Sequence, residues 1–299
     1  MGGHGLDTIY YYCKPHVFEN IVQGKEIWLC DMAKTSDYME VQHVLQGLIA
    51  KSVTDCPLPG WQNRKSLILP LLENACEKLR NRYHWFAICF TEMEDHLAQW
   101  RTYGFDGKGF CIGFDYKKLG TIKSSSPEVK LLFDKMAYAR KDDIAYVNDI
   151  FNKFWGEVQA RESRERINED MIFEALEQYA RKMCFTKNLG FQYENEWRLS
   201  CAQKHYAMLE CANKNIQTVA AAEGFPKEAL RKTLPYGVSI GKRDAVLYIK
   251  QTIEPDIINK VIIGPRNEAT KEDVELFLAM NGFDYANIRI EKSAATYRS

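Results

Sequence analysis

Short apolar runs of roughly four to eight residues, each closed off by glycine, proline or charge, recur along this chain and alternate with stretches of helical spacing. Residues 9–13, 26–30, 85–91, 109–115, 129–138, 237–240, 245–249, 260–263 and 288–290 read as strands. Pro15 suits a first helical turn and Gly24 a stop, which predicts a helix over 15–23. Further helices are expected from about Tyr38 to Lys51 (capped by Thr35 or Ser36), over 67–80 with Pro70 near its start, over 94–103, over 216–232, and from Glu268 or Thr270 to Asn281. The stretch 142–187 is the longest of helical character and reads as a two-helix insertion around a charge-dense turn at 159–170. No repeat or linker divides the chain, so 1–299 reads as a single α+β domain with helical insertions.

With 46% hydrophobic residues, the chain can bury a substantial core. Forty basic and forty acidic side chains cancel, so no long-range basic field for gripping nucleic acid is expected. No apolar run approaches the ~20 residues that cross a bilayer, and no basic-then-apolar leader opens the sequence. The nine cysteines are scattered without a Cys-x-x-Cys pair, which fits a reducing cytoplasm. The histidines are dispersed too, and no metal site is expected.

Chemistry concentrates in Tyr193-Glu194-Asn195-Glu196-Trp197-Arg198. Read as a strand, it points Glu194, Glu196 and Arg198 one way, and Tyr193, Asn195, Trp197 and Leu199 toward a core. Two neighbouring carboxylates push their titrations apart, and an adjacent guanidinium holds one ionised. Such a group can bind a sugar hydroxyl and orient a nucleophile. An ordinary ladder of ion pairs has the same sequence.

Four weaker constellations accompany it. Thr91 ends a strand at a pocket rim, and Trp100, Arg101 and Tyr103 follow as an aromatic platform with an anion clamp, or as a helix packing its Trp on a sheet. The glycines at 104–109 precede a strand rather than a helix and read as a tight turn. On the first strand, Tyr11 projects opposite to Tyr10 and Tyr12; these rings can stack on a planar ligand or simply form strand. Lys187 with Arg198 could neutralise a diphosphate, or sit at a helix end in solvent.

The ordered set Ile9-Tyr10-Tyr11-Tyr12, Glu26-Ile27-Trp28-Leu29, Ser36-Asp37 with Glu40, Phe90-Thr91 with Asp95, Trp100-Arg101 with Tyr103-Gly104, and Gly109 to Asp115 resembles a bacterial family known as domain of unknown function 2971. Lys187 before Glu194-x-Glu196-x-Arg198 and the run Val261 to Arg266 look like its closing motifs, so the likeness spans nearly the whole chain. More distantly, a first aromatic strand, a middle strand ending in a hydroxyl and a late Glu-x-Glu strand are similar to the ADP-ribosyltransferase superfamily. That likeness implies short mixed or antiparallel strands in two small sheets, with NAD as substrate in the cleft between them and a macromolecular acceptor, in a toxin or phage-defence setting. It makes Glu196 the catalytic carboxylate and Glu194 the acceptor-side one. Thr91 would support Glu196 or the ribose, and Tyr11 or Tyr12 would lie near the nicotinamide. Arg101, Lys187 and Arg198 become diphosphate ligands. The first strand carries tyrosines where that superfamily has Arg or His.

Two other classes compete. Asp37, Glu40, Asp95, Glu194 and Glu196 could supply oxygen ligands to Mg²⁺ in a phosphoester hydrolase. A non-catalytic interaction module would leave no pocket under the Glu-x-Glu strand.

Overall fold

The computed structural model describes residues 6–34, 40–53, 58–124, 129–139, 145–205, 208, 236–240 and 245–296. Thr35, Ser36, Asp37 and the helix expected over 216–232 lie outside the described residues. β1 (Thr8–Cys13) leads into α1 (Pro15–Gly24), which has Pro15 at its first position; Lys25, in the left-handed region at φ 48°, turns the chain into β2 (Glu26–Asp31). α2 (Glu40–Val53) and α3 (Trp61–Arg82) follow. Pro70 lies inside α3 without ending it, and the helix begins six residues before the expected start at 67. Trp61 and Ile68 are already fully buried there, so packing carries the helix through a poor local sequence.

Next come β3 (Tyr83–Thr91), α4 (Leu97–Thr102), β4 (Phe110–Asp115) and the short α5 (Tyr116–Gly120), which Asp115 caps by accepting from the Lys118 amide. The single strand read over 129–138 is in fact two. β5 (Leu132–Lys135) and β6 (Ala137–Ala139) are separated by buried Met136 and join different sheets. The insertion contains two helices, α6 (Ala145–Glu162) and α7 (Glu169–Glu177), but its end is a strand, β7 (Thr186–Asn188). β8 (Glu196–Lys204), β9 (Tyr236–Ile240), β10 (Ala245–Thr252), β11 (Ile258–Ile263), α8 (Lys271–Met280) and β12 (Arg289–Lys292) complete the described elements. α8 opens with a capping box between Thr270 and Asp273.

The fold is mixed α+β, but not as two small sheets. One ten-stranded sheet runs β12-β11-β4-β1-β3-β2-β10-β9, with β8 on β3 and β5 on β8; β6 and β7 form a separate parallel pair. Among the described strands of the large sheet only β11 and β12 run parallel. β8 pairs with β3 along its whole length, from Tyr83↔Lys204 to Thr91↔Glu196, and so takes one complete edge. β1 and β2 must share the other edge. β2 holds it at Phe86 and Ala87, and β1 only at Thr91. Between those contacts the sheet is split, and β1 and β2 part above Ile88 to Phe90.

Alternation along β3 assigns its two faces. Phe86, Ile88 and Phe90 enter a core with Phe18 and Ile21 of α1 and Val274 and Leu278 of α8. Trp85 and Ala87 enter a second core built by α2, α3, α6 and α7 around Trp61, Phe151 and Phe154. The Trp85 indole donates to the Ala180 carbonyl at 2.8 Å, which ties the helical layer to the sheet.

Candidate functional site

In an antiparallel pair, residues directly opposite point to the same side. The register sets Thr91 against Glu196 and Cys89 against Arg198, so these four side chains share the helical face of the sheet. Arg198 Nε donates to Glu196 Oε1 at 2.5 Å, and its Nη1 donates to the Cys184 carbonyl at 2.6 Å.

Glu194 does not reach this group along a strand. β8 begins only at Glu196; the six residues before Asn195 form a 3₁₀ turn, and Asn195 itself is left-handed at φ 46°, ψ 52°. Tyr193 is consequently 56% exposed instead of facing the core. Asparagine tolerates the left-handed region better than most residues. That one residue folds Glu194 back beside Glu196. Lys187 of β7 closes the group, with Nζ 2.7 Å from Glu194 Oε2 and 3.1 Å from Glu196 Oε2. The Tyr103 hydroxyl donates to Glu194 Oε1 at 2.7 Å, and Thr91 Oγ1 donates to the Glu194 carbonyl at 2.7 Å. Thr91 therefore anchors the turn's backbone and does not hold the Glu196 side chain. The Glu196 amide donates to the Tyr138 hydroxyl at 2.7 Å.

Lys187, Glu194, Glu196 and Arg198 are each at most 5% exposed. Burial opposes the charge on Glu196, but Arg198 and then Lys187 outweigh it, helped by bonds from Arg198 and the Cys89 thiol, and hold the carboxyl at about 2. Burial, and then the Glu194 carboxylate, push the Tyr103 phenol above its ordinary value. Tyr138 is raised to about 12, mainly by burial and against the bond from the Glu196 amide. Near neutral pH, Glu196 is thus a fixed anion that accepts hydrogen bonds or stabilises positive charge, and it does not shuttle protons.

This cluster forms one end of a cavity of about 510 Å³ that opens where β1 and β2 part. Tyr11 lines it, packing on Phe90 at 6.0 Å between ring centres, and its hydroxyl bonds to no described residue. Tyr10 and Tyr12 also line the cavity but project from the opposite face of β1, as alternation requires, and Tyr10 pairs directly across from Thr91. The Tyr12 hydroxyl donates to the Met93 carbonyl and accepts from the His96 amide, both at 2.8 Å, so its polar end is committed away from a ligand.

Glu194, Glu196, Thr91, Tyr11, Tyr12, Tyr103, Lys187 and Arg198 all line this cavity. Two expected residues do not. Trp100 is fully buried, edge-on to Tyr12 at 4.8 Å with its indole donating to Asp95, because its side of α4 packs on the sheet. Arg101 is exposed, one residue round the same short helix, and is absent from the cavity wall. Lys187 and Arg198, read as diphosphate ligands, are engaged with the carboxylates. Cys89, whose apolar strand-like run reads as that of a small buried hydrophobe, is instead an exposed thiol on this wall, two residues before Thr91 on the same strand. Sequence reasoning also missed Lys14, His16 and Trp28, which line the same cavity.

Lys187, Arg198 and the Tyr103 hydroxyl already engage all four oxygens of Glu194 and Glu196. Asp95 is bonded to Trp100 and Ser293, away from the pair. Among the described residues no group of three or more His, Cys, Asp or Glu is arranged to hold a metal ion. No described helix is long and apolar enough to cross a membrane.

Residues 99–199 match the family model "Protein of unknown function (DUF2971)". The matched segment runs from α4 into β8, so it contains Tyr103, Lys187, Glu194, Glu196 and Arg198 and stops short of Thr91, β1 and β2. No curated protein and no solved structure matches the chain.

Proposed function

We propose that the chain binds NAD or a closely similar nucleotide between β1 and β2 and transfers its ADP-ribosyl group to an acceptor. The observation that carries this reading is a buried carboxylate, Glu196, held ionised on the wall of a split-sheet cavity. A volume of about 510 Å³ falls within the ~300–1,000 Å³ usual for small-molecule sites. Glu196 would accept from a ribose hydroxyl and offset the positive charge that develops at the anomeric carbon. In that step the bond from the anomeric carbon to the nicotinamide nitrogen breaks. Nicotinamide leaves neutral with the bonding pair, the acceptor's nucleophile bonds to the carbon, and its proton passes to solvent. Arg198 and Lys187 fix the direction of Glu196, Glu194 and Tyr103 hold Lys187 in turn, and Thr91 and Asn195 fix the backbone beneath them.

A second reading draws on the same bonds. Both oxygens of Glu196 are already paired, so the four charges could serve only to fasten β7, the 189–194 turn and β8 together.

Nicotinamide release from NAD by the purified chain separates the two. Glu196→Gln should leave the far-ultraviolet circular dichroism unchanged and lower release by about a hundredfold or more. Turnover equal to the parent would defeat the transferase reading. Should this variant misfold, Tyr11→Phe replaces a hydroxyl that bonds to no described residue. It should lower kcat/KM about tenfold with the melting temperature unchanged.

A further inference from the structure

At the site end of the cavity the charges cancel: Lys187 and Arg198 against Glu194 and Glu196. The other end is different. Lys14 and His16 line the same cavity, and both are exposed. Neither makes an ion pair or side-chain hydrogen bond with any described residue, and α1 has no acidic residue in its first turn to neutralise them. Counting the ionised groups on the wall, three cations (Lys14, Lys187, Arg198) face two carboxylates, so the cavity as a whole favours an anion.

The cavity wall also carries a flat apolar surface. Trp28 of β2 lines the cavity with its indole held in place: it stacks on Tyr248 at 4.2 Å and 11°, and its Nε1 donates to Glu26 at 2.8 Å. A ring fixed from behind loses little freedom when a second ring packs on it. Tyr11 and Val17 extend the apolar wall from the β1–α1 side.

We infer that the occupant of this cavity is a nucleotide whose phosphate rests on Lys14 and His16 while its base packs on Trp28. This assigns the anion clamp to the start of α1 instead of to Arg101, Lys187 and Arg198. It rests on the reading that the cleft holds a nucleotide, and not on any transfer chemistry. The phosphate accepts from the Lys14 ammonium and a His16 ring N–H.

Calorimetric titration of the full chain with ADP and with adenosine tests it, using the parent, a Lys14→Ala/His16→Ala double variant and Trp28→Leu. The parent should bind ADP at least tenfold more tightly than adenosine. The double variant should lose about tenfold or more for ADP and nothing for adenosine. Trp28→Leu should weaken both alike. All the substituted side chains are exposed or half-buried, and unchanged melting temperatures confirm that each variant folds. The inference is overturned if the parent does not bind ADP, if ADP and adenosine bind equally, or if the double variant binds ADP like the parent. The transferase reading fails independently: ADP binding through Lys14 and His16 without nicotinamide release would sink that reading alone. Nicotinamide turnover with an unchanged KM in the double variant would sink this one alone.

Discussion

Glu196 links stability to acidity. Its folded-state value, about 2, lies below the ordinary 4.5, so its contribution is complete above about pH 4.5 and is lost as the pH falls toward 2. For a carboxyl this buried the difference corresponds to on the order of 3 kcal/mol. The urea midpoint of the parent should therefore fall steeply between pH 5 and 2, and Glu196→Gln should flatten that slope. A parent curve no steeper than the variant's would mean the carboxyl is not held as described. Several residues of this cluster were legible beforehand. Alternation alone put Tyr11 opposite to Tyr10 and Tyr12, and put Glu196 with Arg198. What could not be read was the outcome among neighbours. Two cations and two anions within twelve residues might have gripped a diphosphate, but the fold spends them on each other. Lys14 and His16 gave no signal, because a basic residue beside Pro15 looks like any other surface residue until β2 and β3 bring a wall up to it.

At the scale of elements, the decisive joint is Asn195, which separates the 3₁₀ turn from β8 and lets two carboxylates two residues apart converge on one ammonium. Its side chain also donates from Nδ2 to Glu92 Oε2 at 2.8 Å. Asn195→Gly and Asn195→Val both lose that bond, so comparing them isolates the backbone. The valine variant should be less stable than the glycine variant by about 1–2 kcal/mol in urea denaturation, the cost of a left-handed β-branched residue. Equal midpoints would show that the joint is not left-handed in solution. The continuous strand expected over 193–198 failed at this residue, because a pattern of period two looks the same whether the chain runs straight or turns once. Elements bounded by strong punctuation were readable: Pro15 and Gly24 bracket α1, and the Thr270 box opens α8. Pro70 misled, because the burial of Trp61 and Ile68 overrides local propensity.

For the whole molecule, the α+β class followed from strands and helices spread along the sequence, whereas the gathering of ten strands into one large sheet did not. Sheet membership depends on pairings between distant segments, such as Tyr10↔Thr91 and Cys30↔Ala87, for which a single sequence has no code. One consequence is measurable. Ile88, Cys89 and Phe90 lie where β1 and β2 part, so hydrogen exchange in this segment should slow when NAD or ADP is added, while exchange in α3 and α6 stays as before. Uniform slowing across the helical layer would place the ligand elsewhere. β3 also runs unbroken under both arms of the split and is clamped along its opposite edge by β8. A cleft with a continuous strand for its base cannot hinge there. Any closing on a guest must come from the β1–α1 and β2 arms bending inward, and the acidic mounting keeps the same spacing whether the mouth is open or shut.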